Sequence, residues 1–180
     1  MKLPHVVALA VITLVLAACI PSLHPFYTER DLAWDARLLG EWREKANTND
    51  FETWKFEKAG TNAYQLTITE KDGKQGEFAA HLFKLENHYF LDLIPTECKY
   101  ATNQAEIVGF AMFPGHLLVR VAQIEPELKL AFLNFDKLAK LLEKDPTALA
   151  YHKEQDRVVL TADTAALQRF VLKHIADEEF

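Results

Sequence analysis

Serine is almost missing from this chain: Ser22 is the only one among 180 residues. It sits between Pro21 and Pro25 near the N-terminus, in a segment expected to be a tether, so a Ser-His-Asp hydrolase has no credible nucleophile. Cysteine is scarce as well, with Cys19 and Cys98 alone. Positive charge is in deficit, Lys+Arg 20 against Asp+Glu 26, for a net charge of −6. A nucleic-acid partner rewards a basic surface and is excluded, and anionic membrane surfaces would not attract the chain by charge. Also lacking are His-Glu-x-x-His, Cys-x-x-Cys, Gly-x-Gly-x-x-Gly and any Walker-type loop. No metal, nucleotide or other cofactor is therefore expected, and no catalytic residue is assigned. What is present is 49% hydrophobic and 11% aromatic, an ordinary globular composition.

The apolar run from Val6 to Ala18 is broken only by Thr13 and follows Lys2; its 13 residues fall short of a membrane-spanning helix. Length and flank fit a signal-peptide core. The run ends in Leu16-Ala17-Ala18-Cys19, which resembles the lipobox of bacterial lipoproteins. The resemblance implies a signal peptide over 1–18 and a lipidated Cys19 as the mature N-terminus, against a spanning anchor or an ordinary secretory cleavage with a coincidental cysteine. Loss of 1–18 removes one lysine and no acid, shifting the net charge from −6 to −7. Cys98 would then be the one remaining thiol, so an internal disulfide is excluded and a packed core must supply stability. Residues 19–37, with Pro21 and Pro25 favouring extended backbone, are expected to be a tether that ends where Trp34 can dock.

From Leu38 onward the dominant period is two. Trp54 and Phe56 share one face of a strand at 52–58, and Tyr64, Leu66 and Ile68 share one face of the next. Asp72-Gly73 supplies the positive φ of a tight hairpin. Further strands are expected over 78–85, 89–93, 116–124 and 128–133, with Ala105–Phe113 left open as strand or loop. Asn134 is a good N-cap for a short helix ending before Pro146. Strands at 149–153 and 157–160 follow. Thr161 is expected to cap a last helix with Leu167, Phe170, Val171, His174 and Ile175 along one stripe.

Eight or so sequential short strands satisfy their edges best by closing into a barrel, which a single helix can plug or flank. Leu39-Gly40-Glu41-Trp42 resembles the Gly-x-Trp signature of lipocalins. Together with Pro21-Ser22-Leu23-His24-Pro25, Gly76-Glu77-Phe78-Ala79-Ala80-His81-Leu82, Phe90-Leu91-Asp92-Leu93 and Leu160-Thr161-Ala162, it makes the mature chain similar to uncharacterised bacterial lipoproteins with a lipocalin-like body. The resemblance implies a mainly β fold: an antiparallel up-and-down lipocalin-like barrel of about eight strands in one domain over 38–180, with a short internal helix and a C-terminal helix. The helix interposed near Leu138 and the lack of a disulfide depart from classical lipocalins. The lipid anchor implies the cell envelope, and by resemblance to Gram-negative sorting Ile20 after the lipid cysteine implies, in a Gram-negative organism, the outer membrane facing the periplasm.

The inward apolar faces, with Trp54, Phe56, Leu66 and Ile68, are candidate walls of a pocket for a small hydrophobic or amphiphilic ligand. His81 and Asp92 on neighbouring strands, with His116 and Arg120 on a later one, are candidates to orient a polar head group from the barrel interior. Three functions follow: a lipid-anchored ligand-binding barrel, a tethered interaction module with a filled barrel, and an enzyme using His81 and Asp92. The membrane enters as a partner only through the N-terminal lipid, and no protein partner is specified.

Overall fold

In β3 (Thr53–Lys58) Trp54 and Phe56 are buried while Lys55 and Glu57 are exposed, the one-sided burial that a period of two imposes. The computed structural model describes residues 8–9, 20–44, 52–96, 114–155 and 157–176. Cys19, Cys98 and the Ala105–Phe113 stretch lie outside the described residues, as do 1–7 and 10–18 of the segment expected to be a signal peptide.

β1 (Ala8–Leu9) runs parallel to the end of β2 (Gly40–Glu44). From β2 the sheet is antiparallel and sequential through β3, β4 (Tyr64–Thr69), β5 (Gln75–Leu85), β6 (His88–Pro95), β7 (Leu117–Gln123) and β8 (Lys129–Phe132). Gly73, at φ +83°, makes the expected hairpin turn between β4 and β5. These seven antiparallel strands curl strongly. Trp54 of β3 meets Phe132 of β8 edge to face, with ring centroids 5.9 Å apart. In a flat sheet, five strand spacings of about 4.8 Å would separate the two by roughly 24 Å.

The curl stops at a half-barrel: among the described residues no pairing joins β8 back to β2. The strands expected to complete a barrel go elsewhere. After Asn134 the chain enters α1 (Phe135–Lys144), and β9 (Tyr151–Glu154) with β10 (Arg157–Leu160) then forms a separate two-stranded sheet. α2 (Thr164–His174) follows, with Asp163 and not Thr161 as its N-cap; the Asp163 carboxylate accepts the Ala166 N–H. A two-residue shift of the cap leaves the apolar stripe where it was expected, with Leu167, Phe170 and Val171 buried.

The sheet separates two cores. The concave core holds Trp42, Trp54, Phe56, Tyr64, Leu66, Leu91, Leu93 and Val119. The convex core sets Phe83, Leu85, Phe90 and Leu118 against α1, α2 and β10. Strands β5 and β6 are therefore buried on both faces along Leu82-Phe83 and Phe90-Leu91-Asp92-Leu93, and there the alternation of buried and exposed residues gives way to continuous burial.

Residues 20–37 are no free tether. Ile20, Ser22 and Phe26 are buried, and the segment crosses the convex face as a strap. Ser22 exchanges backbone hydrogen bonds with His116, while Leu160 N–H donates to Pro21 O and Leu23 N–H to Leu160 O, each at 2.9 Å. The strap thus joins the start of β7 to β10. Farther along, Ala33 N–H donates to Leu82 O and Lys84 N–H to Asp31 O. Trp34 docks as expected, stacked on Tyr64 with centroids 4.4 Å apart. Prolines at 21 and 25 suit this role, since an edge segment in extended conformation tolerates a missing N–H.

Candidate functional site

Alternation sorts the candidate residues onto opposite faces. Trp54, Phe56, Leu66 and Ile68 point into the concave core, where the first three are almost completely inaccessible and Ile68 is half-buried. They fill the space they were expected to line. Across them lie Tyr64, Leu91 and Leu93, equally buried, and the Trp54 indole N–H is satisfied by Glu52.

His81, Asp92, His116 and Arg120 belong to the other side. His81 lies directly opposite Asp92 in the β5–β6 register, as expected, but between Ala80 and Leu82, which face the concave core. The pair consequently faces the strap and not the barrel interior. Asp92 is fully buried, and its carboxyl oxygens are divided between two partners. Oδ2 accepts the Phe26 N–H at 2.9 Å, and Oδ1 lies 2.6 Å from His116 Nδ1. No hydrogen bond joins His81 to Asp92, although the two are cross-strand neighbours. His81 Nδ1 is buried without a hydrogen-bond partner, and the ring stacks on Tyr27 at 5.0 Å.

These surroundings shift two groups of the cluster. Burial pushes the His81 imidazole below the ordinary histidine range, His116 adds to that effect, and Asp92 opposes it. Burial also raises the Tyr27 phenol, with the Asp92 charge acting in the same direction. Ser22 comes close to this group through its backbone pairing with His116, a juxtaposition that a reading of it as spacer missed. Its hydroxyl accepts the His24 N–H and the residue is fully buried, so it is closed to a substrate. The cluster holds the strap to the sheet.

Arg120 serves the opposite end of the convex face. Its guanidinium reaches Ile175 O at 3.4 Å, beyond the C-terminus of α2, where a cation complements the helix dipole. Beside it, Phe90, Leu118, Phe132, Leu133, Val171 and Ile175 border a crevice of about 20 Å3, room for little more than one water. A wider depression of about 480 Å3 is bordered by His152, Glu154, Gln155, Arg157 and Val159, all of the exposed β9–β10 hairpin. Among the described residues no cluster of three His, Cys, Asp or Glu side chains could hold a metal ion.

Tyr27, Phe26 and Ser22 are the site residues that sequence reasoning did not find. The signal available was Phe26-Tyr27 beside Pro25, an aromatic pair that a solvated spacer has no use for. No family model matches the chain, and comparisons with curated proteins and with solved structures give no significant match either.

Proposed function

We propose that this chain is a lipid-anchored protein of the cell envelope that works as an interaction module, a filled half-barrel that presents its surface and not a pocket. The observation that carries this reading is the packing of the concave face. Trp54, Phe56, Tyr64, Leu66, Leu91 and Leu93 are all at most 2% exposed, and the Trp54–Phe132 contact spans the space that a ligand would occupy. Pockets that bury small ligands run to about 300–1,000 Å3, far above the crevice beside Arg120, and the depression of about 480 Å3 lies on the exposed β9–β10 hairpin and not in the concave face. The lipocalin-like resemblance is kept as a relation of architecture, the anchor rests on Leu16-Ala17-Ala18-Cys19, and among the described residues no helix is long and apolar enough to cross a membrane.

Leu66→Trp tests the filled interior. In a packed core the larger ring has nowhere to go, and overpacking should lower stability by about 1–3 kcal/mol, read as a fall in melting temperature. A fluorescent fatty-acid probe should show no saturable binding to the wild-type protein. Saturable binding that Leu66→Trp abolishes at unchanged melting temperature would instead establish the ligand-binding barrel, with Trp54, Phe56, Leu66 and Ile68 as its walls.

A further inference from the structure

Lipidation at Cys19 and the seating of the strap together fix where the body sits. Cys19 is joined directly to Ile20, and Ile20 is already buried in the convex core at 3% exposure. Consecutive Cα atoms are about 3.8 Å apart, so there is no slack between an acylated residue 19 and the folded body. The seating is tight as well as short. A Cβ added at Gly115 would collide with Pro21 Cβ, and the Ser22–His116 and Pro21–Leu160 backbone bonds hold the strap on both sides.

We infer that the body rests directly on the bilayer, on the rim formed by Ile20–His24 and the start of β7, with Leu23 as its interfacial contact. The inference rests on the lipid-anchor reading and names the partner surface as lipid. The acyl chains cannot fold back into the protein at this rim. The crevice that Ile20 shares with Leu117, Leu118, Phe132 and Leu133 is about 10 Å3, smaller than any pocket that buries a lipid-sized ligand. They must enter the membrane beside Ile20. Leu23, four positions on, is 40% exposed and is one of three large apolar side chains so exposed among the described residues. The other two lie outside this rim, Leu39 just before β2 and Tyr89 beside the turn at Glu86 and Asn87. Net negative charge gives the body no electrostatic pull towards anionic lipid, so covalent attachment and this apolar contact set its position.

The orientation is measurable with the acylated mature protein in phosphatidylcholine vesicles containing a headgroup nitroxide lipid. Two single-cysteine labels are compared in a Cys98→Ala background, at His24→Cys on the rim and at Glu125→Cys on the β7–β8 turn. With about 3.3 Å per residue, the nine positions from His116 to Glu125 put the second label up to roughly 30 Å away. The fluorophore at residue 24 should be strongly quenched and that at residue 125 should stay near the level in nitroxide-free vesicles. A Gly/Ser insertion of about 12 residues between Cys19 and Ile20, reaching roughly 20 Å, should erase the difference. Equal quenching at the two sites without the insertion, in protein that floats with the vesicles, overturns direct seating while leaving the anchor intact. Failure to float, with no acyl mass on Cys19, overturns the anchor and the seating with it.

Discussion

Asp92 is the residue on which the convex face depends. A buried carboxyl group needs its hydrogen bonds, and removal of one partner costs the desolvation of what is left, about 1–3 kcal/mol. His116→Ala should therefore destabilise the protein by that amount in urea unfolding. His81→Ala should cost less, because His81 contributes a ring stacked on Tyr27 and no bond to Asp92. The reverse order would mean that His81 is Asp92's true partner. His81 also fixes a pH dependence. Its folded-state pKa is lowered from 6.5, so the unfolded chain takes up the proton first as pH falls. Stability is then fully present above pH 6.5 and is lost as pH drops through the lower folded value. Asp31, where burial pushes upward but hydrogen bonds from Thr28 and Gln168 outweigh it, and Asp35, which accepts hydrogen bonds from Arg37, both lie below 3.8 and lose their contribution only in more acidic solution. His81→Phe keeps an aromatic ring on Tyr27 and should flatten the upper slope alone, which unfolding midpoints across about pH 7 to 5 would read.

At the scale of elements, most strands and both helices were legible because their signals are local. A period of two, Asp72-Gly73 and Asn134 act over a few residues, and β3, β4, β6, β7 and α1 fall within a few positions of their expected bounds. Errors arose where two local signals competed. Thr161 and Asp163 both have side chains that cap helices, and only the path of the chain off β10, with Ala162 buried, settles that Asp163 does so. Asp163→Ala should accordingly cost about 0.5–2 kcal/mol, and Thr161→Ala should be near neutral in thermal unfolding. An equal loss at both positions would show that Thr161 supports the helix start by another route. The strap was misread for a related reason. Prolines promote extended backbone, and whether an extended segment hangs free or pairs with a strand depends on a partner more than 90 residues away, His116.

For the whole molecule, the sheet stands between two cores, and the strap packs Ile20 and Phe26 into the convex one before Ala33 and Trp34 reach the concave one. Phe26 is buried on the convex side, while Pro25 O accepts from Thr164 and Phe26 O from Gln168. Phe26→Ala should cost about 3–5 kcal/mol. In hydrogen exchange it should first deprotect β9, β10 and α2, leaving β3 and β4 close to wild type. Uniform loss of protection would show that the two cores unfold as one. The sequence alone determined the mainly β class, the identity of the concave face and the positions of the helices, because one-sided burial writes itself into spacing along the chain. Tertiary structure decided which way His81 and Asp92 face, that Asp92 belongs to His116 and Phe26, that the sheet stops at a half-barrel, and that residues 20–37 are strap and not tether. Each of these depends on what covers the second face of the sheet. Where β5 and β6 are buried on both sides, periodicity carries no label for inside and outside, and only the packing of distant segments supplies one.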